Sequence, residues 1–212
     1  MYFNDRLQAA MQLAARLEKF KGEKGIILAV PRGGVPIGYY LARHLNFELD
    51  LLMTKKIGHP LHEEYAIGAV GLEDVLLEET DDIPKSYLEE KIPLIRQQLK
   101  ERYKKFMNRE RPANVKGKTV IIIDDGIATG RTILATLKML RNKHPRKLVV
   151  AVPVASRQAA ARIKKEVDGF ICLYTPFTFV GVGGFYRDFS EVDDEEVMTL
   201  LKELNAKDIQ RK

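Results

Sequence analysis

VIIIDDGIATGRT, Val120 to Thr132, changes character within a few residues: four aliphatic side chains run into two carboxylates, then a glycine-bounded loop with two threonines. With Thr119 in front, the aliphatic run predicts a strand buried on both faces, as in a parallel sheet. Ile133, Leu137 and Leu140 then recur at helical spacing, so the strand feeds a helix through a short loop. Ligands of open parallel sheets collect beyond the carboxyl ends of the strands, which is where Asp124 and Asp125 fall. Two carboxylates can accept hydrogen bonds from a sugar diol. Gly126 and Gly130 let the backbone curl round a ligand, and Thr129 and Thr132 set hydroxyls beside the free N–H groups of a starting helix, where a phosphate is favoured. Carboxylates and phosphate repel if they converge, so the ligand must hold its diol and phosphate apart. Ribose 5-phosphate does. A P-loop is excluded, because Gly126 and Gly130 are too close and Arg131 stands where lysine is needed.

Outward from this stretch the chain alternates strand and helix. Asp5 and Gln8 predict a capping box for a helix to about Phe20, with Leu7, Met11, Ala14 and Leu17 inward. Ile26 to Val30 is a strand, PRGG a turn, VPIGYYLARHL a helix, and Leu51 to Lys55 a second strand. From Ile57 the pattern weakens to an excursion, part of it mobile, in which AIGAVG and VLLEE form a hairpin around Glu73 and Asp74. Ser86 and Glu89 suggest another capping box, with Pro93 kinking that helix or starting a new one. Ile95, Leu99, Tyr103 and Phe106 form an apolar stripe on a basic helix. KLVVAVPV is a strand, Ser156 caps a helix, GFICLY is the last core strand, and Asp193 with Glu196 caps a tail helix facing inward through Val197, Leu200, Leu201 and Leu204. The expected fold is α/β: a mainly parallel five-stranded core sheet flanked by helices, with a flexible-loop excursion and a small C-terminal hood. Residues 1–172 form the core, including the mobile excursion 57–80, and 173–212 form the hood segment and C-terminal helix.

Composition narrows the setting. Among 212 residues there is one cysteine, Cys172, so no internal disulfide is possible and a reducing compartment, the cytoplasm, is expected. The 35 Lys and Arg exceed 29 Asp and Glu by a formal +6, but they are dispersed and Trp is absent, so a small anionic ligand explains the excess as well as nucleic acid does. The opening residues lack a secretory signal's apolar core, and the most apolar stretch, Gly25 to Ala42, is too interrupted by glycine, proline and Arg32 to span a bilayer. No membrane partner is expected.

VIIIDDGIATGRT resembles the phosphoribosyl pyrophosphate (PRPP) signature of the type I phosphoribosyltransferases: aliphatic run, two acids, then a loop ending Thr-Gly-x-Thr. AVPRGGVPIG lies where that family has its pyrophosphate loop, LLMTKKIG matches its second strand with a basic end, and HPLHEEYAIGAVG resembles the start of its flexible catalytic loop. PRGG, HPxxxxxAIGAV, DDGIATG and VGVGGFYRDFSEVDDEEV together are similar to a bacterial subgroup of unassigned acceptor. The resemblance implies magnesium-dependent transfer of a phosphoribosyl group from PRPP to a nitrogenous base or related acceptor, in a homodimer. It implies that Asp124 and Asp125 bind the ribose hydroxyls and touch Mg2+ at most indirectly or through PRPP. Gly126 lets the loop curl, and Ala128, Thr129, Gly130, Arg131 and Thr132 wrap the 5-phosphate. Arg32, beside Gly33 and Gly34, suits a bidentate pairing with pyrophosphate, in a loop where the family often has a cis peptide bond. Strand alternation sends Lys55 and Lys56 to opposite faces, and Lys56 resembles the pyrophosphate-side lysine.

One departure is informative. Hypoxanthine-guanine salvage enzymes usually carry an aspartate just before Thr-Gly, and here it is Ala128, which argues against purine transfer by that route. Phe177, Phe179, Phe185, Tyr186 and Phe189 are candidates to stack on the acceptor, with Asp188 as a polar neighbour. His59, His62, Glu63 and Glu64 lack metal-site spacing. The alternative function is a PRPP-sensing regulator that binds nucleic acid through Lys100, Arg102, Lys104, Lys105 and Arg109.

Overall fold

Thr119–Ile123 (β6) runs through the middle of a five-stranded parallel sheet and is buried at every residue. This computed structural model describes residues 3–78 and 83–209; Glu79 of VLLEE and residue 80 of the expected excursion lie outside the described residues. The sheet order is Glu48–Leu51 (β2), Gly25–Ala29 (β1), β6, Lys147–Val154 (β7) and Gly169–Tyr174 (β8), every neighbour parallel. Alternate side chains serve opposite cores, as the two-residue period of a strand demands. Ile27, Ile121, Ile123 and Val149 pack with helices Arg6–Leu17 (α1), Gly34–Leu45 (α2), Lys85–Met107 (α3) and Asp194–Ile209 (α6). Ile26, Val120, Ile122 and Val150 pack with Arg131–Arg141 (α4) and Arg157–Ile163 (α5). Each such aliphatic side chain contributes roughly 1.5–3 kcal/mol on burial.

Between β2 and α3 the chain leaves this sheet. Thr54–His59 (β3), His62–Gly71 (β4) and Val75–Leu77 (β5) form a separate antiparallel sheet, and the expected hairpin around Glu73 and Asp74 is its β4–β5 turn. The expected second strand, Leu51 to Lys55, is divided. Leu52 N–H makes the last bond to the core, to Ala29 O (2.8 Å), and Thr54 already belongs to β3. The core strand starts earlier, at Glu48, because Asp50 is buried with its charge met. Asp50 accepts from Leu51 N–H (2.8 Å), Ala113 N–H (2.6 Å) and the Tyr103 hydroxyl (2.8 Å), and pairs with Arg109 (2.9 Å).

Two further expectations change. In α1 the Asp5 carboxylate does cap Gln8 N–H (2.7 Å), though Gln8 reaches back to Asn4 N–H rather than to Asp5. Leu7 and Met11 stay half exposed while Ala9, Ala10, Leu13, Ala14 and Leu17 are buried, since alanines let α1 settle closely on its neighbours. The α3 start is not the Ser86–Glu89 box: Pro84 takes the cap position without a side-chain bond, and the helix continues through Pro93 to Met107. Its stripe is as expected, with Ile95, Leu99, Tyr103 and Phe106 buried. Ser156 caps α5 through Ala159 N–H (3.1 Å) and Asp193 caps α6 through Glu196 N–H (2.8 Å). Val197, Leu201 and Leu204 face inward. No helix among the described residues is long and apolar enough to cross a membrane.

Candidate functional site

The site begins where β6 ends. Asp124 and Asp125 follow Ile123, and residues 126–130 turn the chain into α4. Ile127 N–H bonds Val154 O (2.9 Å), Ser156 N–H bonds Ile127 O (2.9 Å), and the Ser156 hydroxyl donates to Ala128 O (2.6 Å), which anchors the loop to the end of β7. Gly130 enters α4 with φ +69°, a left-handed value unfavourable to any residue with a Cβ. Ala128, Thr129, Arg131 and Thr132 are exposed around the open first turn of α4.

PRGG lies against the same sheet edge. Val30 N–H bonds Ile123 O (2.8 Å), the Pro31–Arg32 peptide is cis, and α2 starts at Gly34. A Cβ on Gly33 would lie 1.9 Å from Asp125 Oδ2, so the two loops touch, and only glycine fits at the contact. Arg32, Gly33, Gly34, Asp124 and Asp125 are thereby brought together. Arg32 is half-buried and already paired: one guanidinium nitrogen bonds Glu191 and another lies 3.8 Å from Asp194.

Arg6 was not anticipated. Its Nε and Nη2 both donate to Asp125 Oδ2 (3.1 and 2.9 Å), its Nη1 donates to Ser190 O (2.8 Å), and the guanidinium lies 4.0 Å above the Phe189 ring. Both members of the Arg6–Asp125 pair are nearly buried, at 11% and 13% side-chain exposure. A local signal existed, because a cation in the first turn of a helix opposes the helix dipole and needs another reason to be there. The segment that carries Phe189 is the hood. Phe3 pairs with it as a short parallel bridge to Tyr186, and the Tyr186 hydroxyl donates to Asp125 O (2.6 Å). Burial pushes the Tyr186 phenol well above its usual range.

The hood aromatics divide by environment. Phe185 and Tyr186 are buried with Phe3, Ala9 and Val154, Phe179 packs on Phe185, and Phe189 supports Arg6. Phe177 is 86% exposed, with Arg157 4.7 Å over its ring. The Asp188 carboxylate accepts from Ser190 N–H (3.0 Å) and shapes a turn. Lys55 and Lys56 do point to opposite faces: Lys55 bonds Gln98 of α3 (3.1 Å), whereas Lys56 lines a cleft with Thr129, Arg131 and Thr132. Arg32 and Asp125 do not line that cleft.

Burial, and then the charge of Asp125, hold the Asp124 carboxyl well above the ordinary carboxylate range. Burial also raises Asp125, against the opposing pull of Arg6. In the window between the ordinary value, about 3.9, and the raised value, the folded chain keeps a proton that the unfolded chain has lost. Stability from this group therefore falls as pH rises through that window. Asp124→Asn removes the charge yet still accepts from Asp125 N–H. Its melting temperature at pH 7 should exceed that of the wild type by a few degrees, at roughly 2–4 °C per kcal/mol. Thermal unfolding across pH 4 to 8 checks this, with the gap closing towards pH 4; a constant gap would mean that titration is not its cause.

A family model described as "Phosphoribosyl transferase domain" matches residues 3–189. Two Mycobacterium tuberculosis proteins, "Putative phosphoribosyl transferase MT0597" of strain CDC 1551 and "Putative phosphoribosyl transferase Rv0571c" of strain H37Rv, are each 35% identical over 206 residues, covering 94% of this chain and 46% of theirs. The chain spans about half the length of these curated relatives. Among solved structures, TT1426 from Thermus thermophilus is similar at TM-score 0.85 and 38% identity, over 96% of this chain and 99% of that one. The matched span runs from Phe3, which packs against the hood, to Phe189 within it, and takes in both loops that meet at Asp125. With this fold and these two loops brought together, the chain belongs to the phosphoribosyl transferase domain family, as a type I phosphoribosyltransferase domain of unassigned acceptor.

Proposed function

We propose that the protein transfers a 5-phosphoribosyl group from PRPP to a nitrogenous acceptor and releases pyrophosphate. The contact of Gly33 with Asp125 carries this reading, because it brings a loop suited to pyrophosphate against the carboxylates suited to ribose. In the reaction the C1–O bond to pyrophosphate breaks, a C1–N bond to the acceptor forms, and the acceptor nitrogen gives up its proton. No protein nucleophile is needed. The protein orients the sugar, stabilises the departing charge and keeps water away.

Asp124 and Asp125 accept from the ribose hydroxyls, with Arg6 holding Asp125 in place through one oxygen and leaving the other available. The first turn of α4 with Thr129 and Thr132 takes the 5-phosphate. Arg32 exchanges Glu191 and Asp194 for pyrophosphate oxygens. Lys56 approaches from β3, a strand suited to close over the crevice as a lid. Magnesium suits this site in one form. Among the described residues no three His, Cys, Asp or Glu side chains gather to cage an ion, yet two hard carboxylates stand at the crevice, a set suited to an ion that brings pyrophosphate oxygens and waters with it. Asp124 and Asp125 would be its protein partners, and when bound it supplies positive charge to the leaving group.

The protein is further proposed to act in the cytoplasm as a homodimer on small molecules. The regulatory alternative needs a basic face on α3, and there four of the five cations, all but Lys100, are already engaged: Arg102 (3.7 Å) and Lys105 (2.7 Å) with Asp194, Lys104 with Glu110 (2.8 Å), Arg109 with Asp50 (2.9 Å). Pyrophosphate release from magnesium and PRPP, screened over purines, pyrimidines and related nitrogenous acids, tests the proposal. Turnover with one acceptor supports transfer; saturable PRPP binding without turnover supports sensing. The two ends of the site should also separate. Thr132→Val should weaken PRPP and ribose 5-phosphate alike, by about 1–3 kcal/mol. Arg32→Ala should weaken PRPP and pyrophosphate but spare ribose 5-phosphate. Equal loss of all three ligands in both variants would make the effect a general electrostatic one.

A further inference from the structure

Beside the 5-phosphate loop, between the β3–β5 sheet and the outer faces of α4 and α5, lies a cleft of about 730 Å³. Five cations face it against two carboxylates, Glu78 and Glu166. Four of the cations, Arg131, Lys138, Arg162 and Lys165, make no side-chain hydrogen bond or ion pair among the described residues. Nearby cations behave differently: Arg141 of the same helix holds Asp168 (2.8 Å), and Lys143 holds Glu73 and Asp74 (both 2.8 Å). Unpaired like charges converging on one concave surface repel each other and focus a positive potential into it, a cost that an anion removes.

A sugar 5-phosphate cannot be the anion that all four serve. Lys138 follows Arg131 by seven residues on α4, or about 10 Å of helix. Arg162 and Lys165 belong to α5 and the turn after it. The opposite wall has another character. Tyr65, 53% exposed, and Leu76 stand on the β3–β5 sheet over a floor of Gly68 and Ala69, facing Leu134 and Ala135 of α4. One wall therefore suits a flat ring and the other suits several phosphates, in a volume within the range of small-molecule sites.

We infer that this cleft binds a nucleotide carrying two or more phosphates, its base against Tyr65 and Leu76 and its phosphates on Lys138, Arg162 and Lys165. The inference touches the phosphoribosyl reading only through the shared loop residues, above all Arg131, and stands without it. That sharing gives the site a consequence, since a nucleotide phosphate drawn to Arg131 competes with the sugar phosphate for it. Filling the cleft weakens capture of ribose 5-phosphate.

The full chain is titrated by calorimetry at constant ionic strength with ATP, GTP, AMP and inorganic tripolyphosphate. The wild type, Arg162→Ala/Lys165→Ala, Tyr65→Ala and Arg32→Ala are compared, and ribose 5-phosphate is titrated with and without ATP. ATP or GTP should bind saturably, at least tenfold more tightly than AMP and than tripolyphosphate. The double variant should lose tenfold or more of that affinity while keeping ribose 5-phosphate within twofold, Tyr65→Ala should lose several-fold, and Arg32→Ala should bind the nucleotide as the wild type does. ATP should weaken ribose 5-phosphate several-fold. Three results overturn the inference: no saturable nucleotide binding, tripolyphosphate binding as tightly as ATP, or loss of nucleotide in Arg32→Ala with none in the double variant, which would place it in the crevice. Unchanged ribose 5-phosphate affinity under ATP would overturn the competition. Failure of ribose 5-phosphate to bind with nucleotide binding intact would count against the phosphoribosyl reading alone.

Discussion

Gly33→Ala should bind PRPP and ribose 5-phosphate at least a hundredfold more weakly than the wild type while keeping its far-ultraviolet spectrum. The added methyl would stand 1.9 Å from Asp125 Oδ2 and 2.6 Å from its Cγ. That oxygen is not the loose end of a flexible chain, because Arg6 donates to it twice and Arg6 is itself fixed by Ser190 O and the Phe189 ring. The backbone at Gly33 has φ −59° and ψ −30°, which alanine adopts freely, so the effect is steric rather than conformational. Overpacking of this kind costs typically 1–3 kcal/mol, which a stable domain survives. The Asp125 carboxylate, proposed to hold the ribose, would still be displaced. Calorimetry with both ligands, beside circular dichroism, decides the matter: binding within threefold of the wild type would show that the position of Asp125 does not govern sugar capture.

The largest stability loss is expected at Asp50. Asp50→Ala removes the acceptor for two backbone N–H groups and the Tyr103 hydroxyl, and leaves Arg109 without its carboxylate. Arg109 is partly exposed and can turn to water, so the cost falls chiefly on the two N–H groups left without an acceptor, about 1–3 kcal/mol each, or a fall in melting temperature of roughly 4–24 °C at this chain length. The exposed carboxylate two residues earlier, Glu48, pairs with Lys118 at the surface, and Glu48→Ala should cost under about 1 kcal/mol. Urea unfolding of both variants makes the comparison. A loss under 1 kcal/mol for Asp50→Ala would mean that the network contributes little to the fold.

Asp50 also explains where sequence pattern stops. Apolar runs and periodicity located β1, β6, β7 and β8, because burial there falls on aliphatic side chains that announce it. In β2 burial falls on an aspartate, and the groups that make it tolerable lie 53 and 63 residues away in Tyr103 and Ala113. No local pattern records that. The crevice divides in the same way. The meeting of DDGIATGRT and PRGG at one end of the sheet was legible because each follows a strand that announces itself and carries its glycines close together in sequence. Arg6 was not, since it meets Asp125 across 119 residues, and the tail aromatics could not be sorted into packing and exposed rings before the hood was seen. Lys56 shows the intermediate case: alternation separated it from Lys55, but its neighbours depended on how a second sheet docks.

The hood is closed by parts of the chain far apart in sequence, with Arg6 bonded to Ser190 across 184 residues. This has a consequence for the nascent chain. Asp125 leaves the ribosome 65 residues ahead of Ser190, an interval of roughly 3–13 s at ordinary elongation rates. During that time β6 and its loop can be complete while the contacts that orient Arg6 have yet to be made. The site thus matures after the sheet that carries it, and a chain that stalls within that interval would present a folded sheet with an unfinished site.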